Sequence, residues 1–216
     1  MTARRNDTDR PVFARIWMAA GPRLDREGFV EWRRRLLHGL SGRVLEIGAG
    51  HGLNFSHYGA DVTEVVAVEP ERHLRRMAEA AADSAPVPVT VRAGSAEDVP
   101  CAAGSMDAAV CSLVLCSVRD QRAALLEIHR VLKPGGELRF LEHVRAGNPA
   151  GALVQRALDA TIWPLLVGGC HTSRATTDAI AAGGFEVASA THFRFPTTAV
   201  PLPTSPHVLG AARRVT

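Results

Sequence analysis

Val44-Leu-Glu-Ile-Gly-Ala-Gly-His-Gly52 decides the fold: a short apolar strand carrying an acid at Glu46 runs into glycines at 48, 50 and 52. A strand that ends in alternating glycines must turn sharply. It also lets the backbone come close to a ligand, because glycine has no Cβ to hold one away. A run like this can be only a tight turn, so other segments must agree with it.

The spacing narrows the ligand. A dinucleotide-binding turn has the pattern G-x-G-x-x-G, with the third glycine seating a helix beneath a pyrophosphate. Here that third position is Leu53. The next apolar run, Glu64-Val-Val-Ala-Val-Glu-Pro70, ends in an acid, and Glu69 falls about 20 residues beyond the glycines, where a ribose-binding carboxylate belongs. The plain alternative is an acid placed before a helix N-terminus, where negative charge is favoured anyway. With the glycine run in front of it, the ribose reading is preferred.

Outward from this pair, strands and helices alternate. Strands are expected near 43–47, 64–68, 87–92, 106–112 and 137–143, with a short helix after Gly52 and helices at 70–82 and 119–132. Alternation of this kind predicts an α/β fold with a mostly parallel sheet covered on both faces. One helix is expected before the first strand, from about Asp25 to Gly39. After Gly147 come helical stretches to about Trp163 and at 173–182, then two closing strands near 185–194 and 207–214. Ligands lie beyond the carboxyl ends of the strands in such sheets, so Glu46, Glu69, Ser95, Cys111 and His143 are expected to share one cleft.

At 216 residues the chain reads as one domain, with 1–42 as an N-terminal helical lid, 43–147 as the cofactor-binding half and 148–216 as substrate-side helices and closing strands. The net charge of +3 is slight, and the basic run Arg33-Arg34-Arg35 stands among acids such as Glu27 and Glu31. It reads as a solvated helix face, and no nucleic-acid partner is expected. No segment has the roughly 18 uninterrupted apolar residues of a membrane span, and the opening residues lack a signal peptide's apolar core. A cytoplasmic location, with no membrane partner, is expected. The four cysteines, at 101, 111, 116 and 170, form no C-x-x-C pair, so free thiols and no structural zinc are expected.

The run E-x-G-x-G-x-G resembles motif I of the class I S-adenosylmethionine-dependent methyltransferases. Ala93-Gly-Ser-Ala-Glu-Asp-Val-Pro100 resembles their adenine-holding segment, and Ala124-Leu-Leu-Glu-Ile-His-Arg-Val-Leu-Lys-Pro-Gly-Gly136 resembles their helix and turn before the fifth strand. Leu113-Val-Leu-Cys-Ser-Val118, Leu141-Glu-His-Val144, Gly169-Cys-His-Thr-Ser-Arg174 and Pro206-His-Val-Leu-Gly210 are similar to segments of the methyltransferase-like seven branch, the alkyl-thiol S-methyltransferases, and its bacterial relatives. The likeness covers about residues 11 to 212. It implies a Rossmann-like, mostly parallel seven-stranded sheet with an antiparallel edge hairpin. It also implies S-adenosyl-L-methionine as cofactor and a small-molecule substrate, a thiol in this branch.

On that resemblance Glu46, Gly48, Ala49, Gly50, Asn54, Glu69, Pro70, Ser95, Ala96, Glu97, Cys111 and Leu113 are the cofactor-binding candidates. Ser95 stands where an acid is usual, which shifts the adenine contact toward Ala96 and Glu97. A thiol must ionise before it can attack, and a histidine could take the proton. His143 at the end of the fifth strand is the first candidate, with His171 and His207 next; each has an ordinary reading as a packing residue. Cys116 and Cys170 could line the pocket or hold a soft metalloid, but buried cysteine usually behaves as a small hydrophobe, and that reading is favoured. Phe13, Arg15 and Trp17 are expected either to form a lid or only to pack, and 193–206 to shape an apolar pocket. The other classes left open are an O-, N- or C-methyltransferase, a nicotinamide oxidoreductase, and a non-catalytic cofactor-binding protein. The oligomeric state is not legible.

Overall fold

The computed structural model describes residues 10–197 and 202–215. Its centre is a seven-stranded sheet in the order β3-β2-β1-β4-β5-β7-β6. The strands are β1 Gly42–Ile47, β2 Val62–Val68, β3 Val89–Arg92, β4 Met106–Ser112, β5 Leu132–His143, β6 Phe185–Arg194 and β7 Pro206–Arg214. The first five run parallel. β7 then pairs antiparallel with both β5 and β6, which makes the edge hairpin.

Both faces of the sheet are covered because its strands are apolar on both sides. Leu45 and Ile47 point into one core with Leu125, Ile128 and Val131 of α4 (Gln121–Val131). Val44 points into the other with Phe29, and with Leu36 and Leu37 of α2 (Val30–Leu37). The two-residue period of a strand puts Glu46 on the α2 side, beside Val44. The same period puts Cys111 with Leu45 in the α4-side core.

Two elements differ from expectation. The segment before β1 is a pair of helices, α1 (Pro11–Leu24) and α2, joined through a π turn at Asp25–Phe29. Gly28 breaks the expected continuous helix, since it sits at φ 109°, a backbone conformation open to glycine. The helix expected after Gly52 is one 3-10 turn, Phe55–His57. The remaining helices are α3 (Arg72–Ala82), α5 (Pro149–Asp159), α6 (Trp163–Leu166) and α7 (Thr176–Ala182). α3, α4 and α5 start where their sequences supply a side-chain cap: Glu71 accepts from the Leu74 amide, Asp120 from those of Arg122 and Ala123, and Asn148 from that of Gly151.

The solvated-face reading of Arg33-Arg34-Arg35 holds for two of the three. Arg34 and Arg35 are exposed, but Arg33 is 4 % exposed and turned inward onto Asp25, Asn54 and Ser112. Its guanidinium thereby ties the helical segment before β1 to the glycine loop. Among the described residues no helix is long and apolar enough to cross a membrane.

Candidate active site

The carboxyl ends of β1, β2, β4 and β5 open onto one cavity of about 490 Å³, well within the size range of small-molecule sites. Its first wall is the glycine loop. Gly48 and Gly50 both have positive φ, 63° and 59°. A Cβ on Gly48 would lie 2.6 Å from Val114, and one on Gly50 would lie 3.2 Å from the Trp17 indole nitrogen. The loop is thus packed from below by the β4 end and from above by α1.

Glu69 stands beside this loop, 4 % exposed. One carboxylate oxygen accepts from the Gly50 amide at 2.8 Å and the other from the Glu71 amide at 2.9 Å. Burial pushes its pKa up to about 7, against the pull of those two amides. Each oxygen keeps a lone pair, so the carboxylate can also accept from the two hydroxyls of a ribose lying in the cavity. Gly48, Gly50, Glu69, Pro70, Ser95, Ala96, Glu97 and Leu113 all line the cavity. Glu97 has a second duty, because its carboxylate accepts from the Arg119 and Asp120 amides and so joins the loop after β3 to the start of α4.

Four of the residues named from sequence as cofactor contacts lie elsewhere. Glu46, Ala49 and Asn54 line a void of about 20 Å³ behind the loop, together with Arg33 and His51. There Glu46 accepts from Tyr58 Oη at 2.6 Å and Asn54 Nδ2 at 2.9 Å, and burial lifts its pKa to about 7. Glu46 therefore braces the loop from the α2 side, in a chain that continues through Asn54 to Arg33. Cys111 reaches neither space: it is fully buried in the α4-side core, where its strand position points it.

The other end of the cavity is built by two loops held against each other. After β4, Leu113 takes φ 61°, the one positive φ outside glycine among the described residues, and the next three amides, of Val114, Leu115 and Cys116, all donate to the buried carboxylate of Glu142. Burial raises the Glu142 pKa while these amides oppose it. The second loop contains Gly168, Gly169 and Cys170. A Cβ on Gly169 would meet the Ser117 carbonyl oxygen at 2.5 Å, so the approach requires glycine there. The His171 amide donates to the Cys116 carbonyl at 2.8 Å, and the Arg174 guanidinium donates to the carbonyls of Leu115 and Val118. Asp159 accepts from both the amides and the hydroxyls of Thr172 and Ser173.

These contacts bring Cys116, His143 and Cys170 together on the cavity wall. His143 Nδ1 lies 3.7 Å from Cys116 Sγ and 3.5 Å from Cys170 Sγ, and the sulfurs are 4.0 Å apart. The sulfur–sulfur contact splits the pair's acidity. Cys170 is drawn down by its hydrogen bond with Cys116 and by His143, and Cys116 is pushed up by the same contact and by burial. Reading the two cysteines as separate small hydrophobes missed this cluster, because they stand far apart in the chain.

The other two candidate histidines do not line the cavity. His171 has its Nδ1 on the Gly169 carbonyl at 2.7 Å. His207 is packed among Phe29, Phe193 and the His143 ring, and its Nδ1 lies 2.8 Å from the Ser205 carbonyl. Burial, with His143 beside it, lowers the His207 pKa to about 3. Of the possible lid residues, Phe13 and Trp17 line the cavity, while Arg15 is exposed on α1. In the segment 193–206, Phe193 stacks on Trp32 and Phe195 packs on Phe29, away from the cavity, and residues 198–201 lie outside those described. Val167 and Gly168 close that side of the pocket instead.

Comparison with known proteins agrees with this geometry. Residues 45–140 match the family model for a methyltransferase domain. Thiol S-methyltransferase TMT1B of Rattus norvegicus is 36% identical over 185 residues, covering 82% of this chain and 73% of its own length. The ubiquinone/menaquinone biosynthesis C-methyltransferase UbiE of Syntrophotalea carbinolica is 31% identical, covering 74% of this chain and 71% of its own length. A SAM-dependent methyltransferase from Thermotoga maritima superposes with a TM-score of 0.68 at 21% identity, covering 94% of this chain and 98% of its own. A geranyl diphosphate methyltransferase in complex with sinefungin gives a TM-score of 0.64 at 17% identity, covering 86% and 77%. The protein is an S-adenosylmethionine-dependent enzyme, and it belongs to the class I methyltransferases, among relatives that include the thiol S-methyltransferases.

Proposed function

We propose that this enzyme methylates a small, fairly apolar thiol on sulfur. The observation that supports this most directly is the arrangement of one cavity with the glycine loop and Glu69 at one end and Cys116, His143 and Cys170 at the other. The bound S-adenosylmethionine supplies a methyl group made electrophilic by its sulfonium sulfur. Gly50 and Glu69 would hold its ribose, and Ala96 its adenine. Phe13 and Trp17 on α1, with Leu113, Val114 and Val118, give much of the remaining space an apolar lining, beside charged residues such as Arg10 and Asp120. Such a wall favours an apolar acceptor and keeps water from competing for the methyl group.

Methyl transfer is an in-line displacement, so alignment supplies much of the catalysis. The remaining requirement is ionisation of the acceptor, since the thiolate is the nucleophile. Of the three candidate histidines, only His143 lines the cavity. The kinship with thiol S-methyltransferases supports the same acceptor.

Incubating the purified protein with methyl-labelled S-adenosylmethionine and a panel of alkyl and aryl thiols, phenols, amines and quinones tests the reading. Labelled thioethers are expected. Methylation of a quinone carbon with every thiol inert would instead favour the activity of the UbiE relative.

A further inference from the structure

Three ligand atoms at the acceptor end have the spacing of a metal site. A tetrahedral zinc ion with Zn–S bonds of about 2.3 Å and a Zn–N bond of about 2.05 Å sets its two sulfurs ~3.8 Å apart and each sulfur ~3.6 Å from the nitrogen. The corresponding distances here are 4.0 Å between Cys116 Sγ and Cys170 Sγ, and 3.7 and 3.5 Å from these to His143 Nδ1. All three edges fall within about 0.2 Å of the tetrahedral values, the tolerance expected of a real site.

We propose that Cys116, His143 and Cys170 bind one thiophilic divalent cation, zinc in the first place, whose fourth coordination position faces the cavity and takes the sulfur of the acceptor thiol. Two thiolates and an imidazole are soft ligands that suit zinc and disfavour magnesium or calcium. Two thiolates also cancel the ion's charge, so the buried site is neutral with a neutral imidazole. Three protein ligands with one position left to substrate is the arrangement of catalytic zinc sites, whereas structural sites are closed by four. Among the described residues this is also the one group of three cysteine, histidine or acidic side chains that comes close enough to share an ion.

The surroundings hold these ligands in place. Glu142 fixes the Cys116 loop through three amides, Gly169 allows the Cys170 loop to lie on Ser117, and Arg174 and Asp159 fasten that loop further. The site is thus preorganised by contacts outside the ligands themselves, as metal sites require.

The second half of the proposal rests on the thiol reading above. The cation takes over the task of a general base, and His143 becomes a ligand. On binding, the acceptor thiol loses its proton to solvent and its sulfur joins the cation. That sulfur then bonds to the methyl carbon of S-adenosylmethionine as the carbon–sulfonium bond breaks. The electron pair returns to the cofactor sulfur, which leaves neutral S-adenosylhomocysteine and a thioether. A thioether is a weaker ligand than a thiolate, so the product departs.

The test begins with chelator-stripped protein reconstituted with zinc or cobalt(II), followed by elemental analysis and absorption spectroscopy. One equivalent of metal per chain is expected, with cobalt showing thiolate charge transfer and intense tetrahedral bands. Cys116→Ser, Cys170→Ser and His143→Ala should each weaken binding by roughly 10–100-fold or more, while Cys101→Ser, outside the cluster, should not. Calorimetric binding of S-adenosylhomocysteine confirms that each variant is folded. Adding butanethiol should shift the cobalt bands. Substoichiometric metal in the wild type, or binding indifferent to the three substitutions, overturns the site, and cobalt bands that ignore butanethiol overturn its open position. Thiol methylation at full rate after stripping overturns the proposal but leaves the thiol reading standing. A bound metal with every thiol unmethylated refutes the thiol reading and the fourth-position role, while the cation site itself survives.

Discussion

The Glu69 carboxyl should make cofactor affinity depend on pH. It is buried against the glycine loop and holds two backbone amides, and burial raises its pKa to about 7. To accept from two ribose hydroxyls it must be ionised, so the protonated fraction of free enzyme competes with binding. At pH 6 only about a tenth of the molecules carry the carboxylate, against about nine-tenths at pH 8. S-adenosylmethionine should therefore bind about tenfold more weakly at pH 6 than at pH 8, a difference of about 1.4 kcal/mol. Binding should also release close to one proton at pH 6 and about a tenth of one at pH 8.

Isothermal titration in buffers of different ionisation enthalpy measures both quantities. Glu69→Gln keeps the shape and removes the charge. It should cost about 1.5–3 kcal/mol of affinity at pH 8, the worth of hydrogen bonds to a charged acceptor, and abolish the pH slope. Glu46 has a similarly raised pKa but does not line the cavity, so Glu46→Gln should retain the slope and serves as the control. A flat wild-type profile, or a slope that survives in Glu69→Gln, would refute the assignment of Glu69 to the ribose.

Glu46 should instead affect stability. Its folded pKa of about 7 lies above the ordinary glutamate value of 4.5, so the folded state binds the extra proton; stability intact below about pH 4.5 is lost as pH rises through 7, by up to roughly 3 kcal/mol. Urea unfolding between pH 5 and 8 should show that decline, made shallower in Glu46→Gln, and equal declines in both proteins would refute it. Glu142→Ala should cost roughly 2–4 kcal/mol, because three buried amides lose a charged acceptor together; a loss below about 0.5 kcal/mol would show that the loop needs no such anchor. Gly169→Ala and Gly104→Ala both place a side chain at positive φ, 93° and 59°, but a Cβ on Gly169 meets the Ser117 carbonyl at 2.5 Å while one on Gly104 meets nothing within 4 Å. Gly104→Ala should cost about 1 kcal/mol of strain, and Gly169→Ala clearly more, with a loss of methyl transfer; comparable thermal shifts would contradict the close approach.

The two ends of the cavity were not equally legible in the sequence. The cofactor end is made largely of backbone and of residues at strand ends. Gly48, Gly50 and Glu69 could be found because each follows directly from the strand before it, and alternation along β1 and β2 predicts where the strands finish. The same rule carried too far for Cys111. It lies at the end of β4, but its side chain falls on the core side of the strand, and one residue decides which face a side chain takes. Glu46 had the same difficulty: its spacing matches a cofactor motif, yet its partners Asn54 and Tyr58 flank the 3-10 turn, and Asn54 is held in turn by Arg33 of α2.

The end that holds Cys116, His143 and Cys170 is made of contacts between distant segments, so no local pattern announces it. Cys116 and Cys170 are separated by 54 positions, and contacts such as the Glu142 anchor, the Gly169 approach, the His171–Cys116 backbone bond and the Arg174 bonds set them 4.0 Å apart. Each of those supports appears in the sequence as an ordinary residue. Glu142 is an acid within a strand, and its partners are amides that any residue could supply. The available signal is indirect: a buried acid is costly unless several donors converge on it, so Glu142, directly after the buried Phe140 and Leu141 of β5, implies a loop folded over it. That loop carries Cys116, and its neighbour in the strand is His143. The acid in β5 therefore marks where the loop carrying Cys116 is fastened to the sheet, even though the residues gathered there are scattered along the chain.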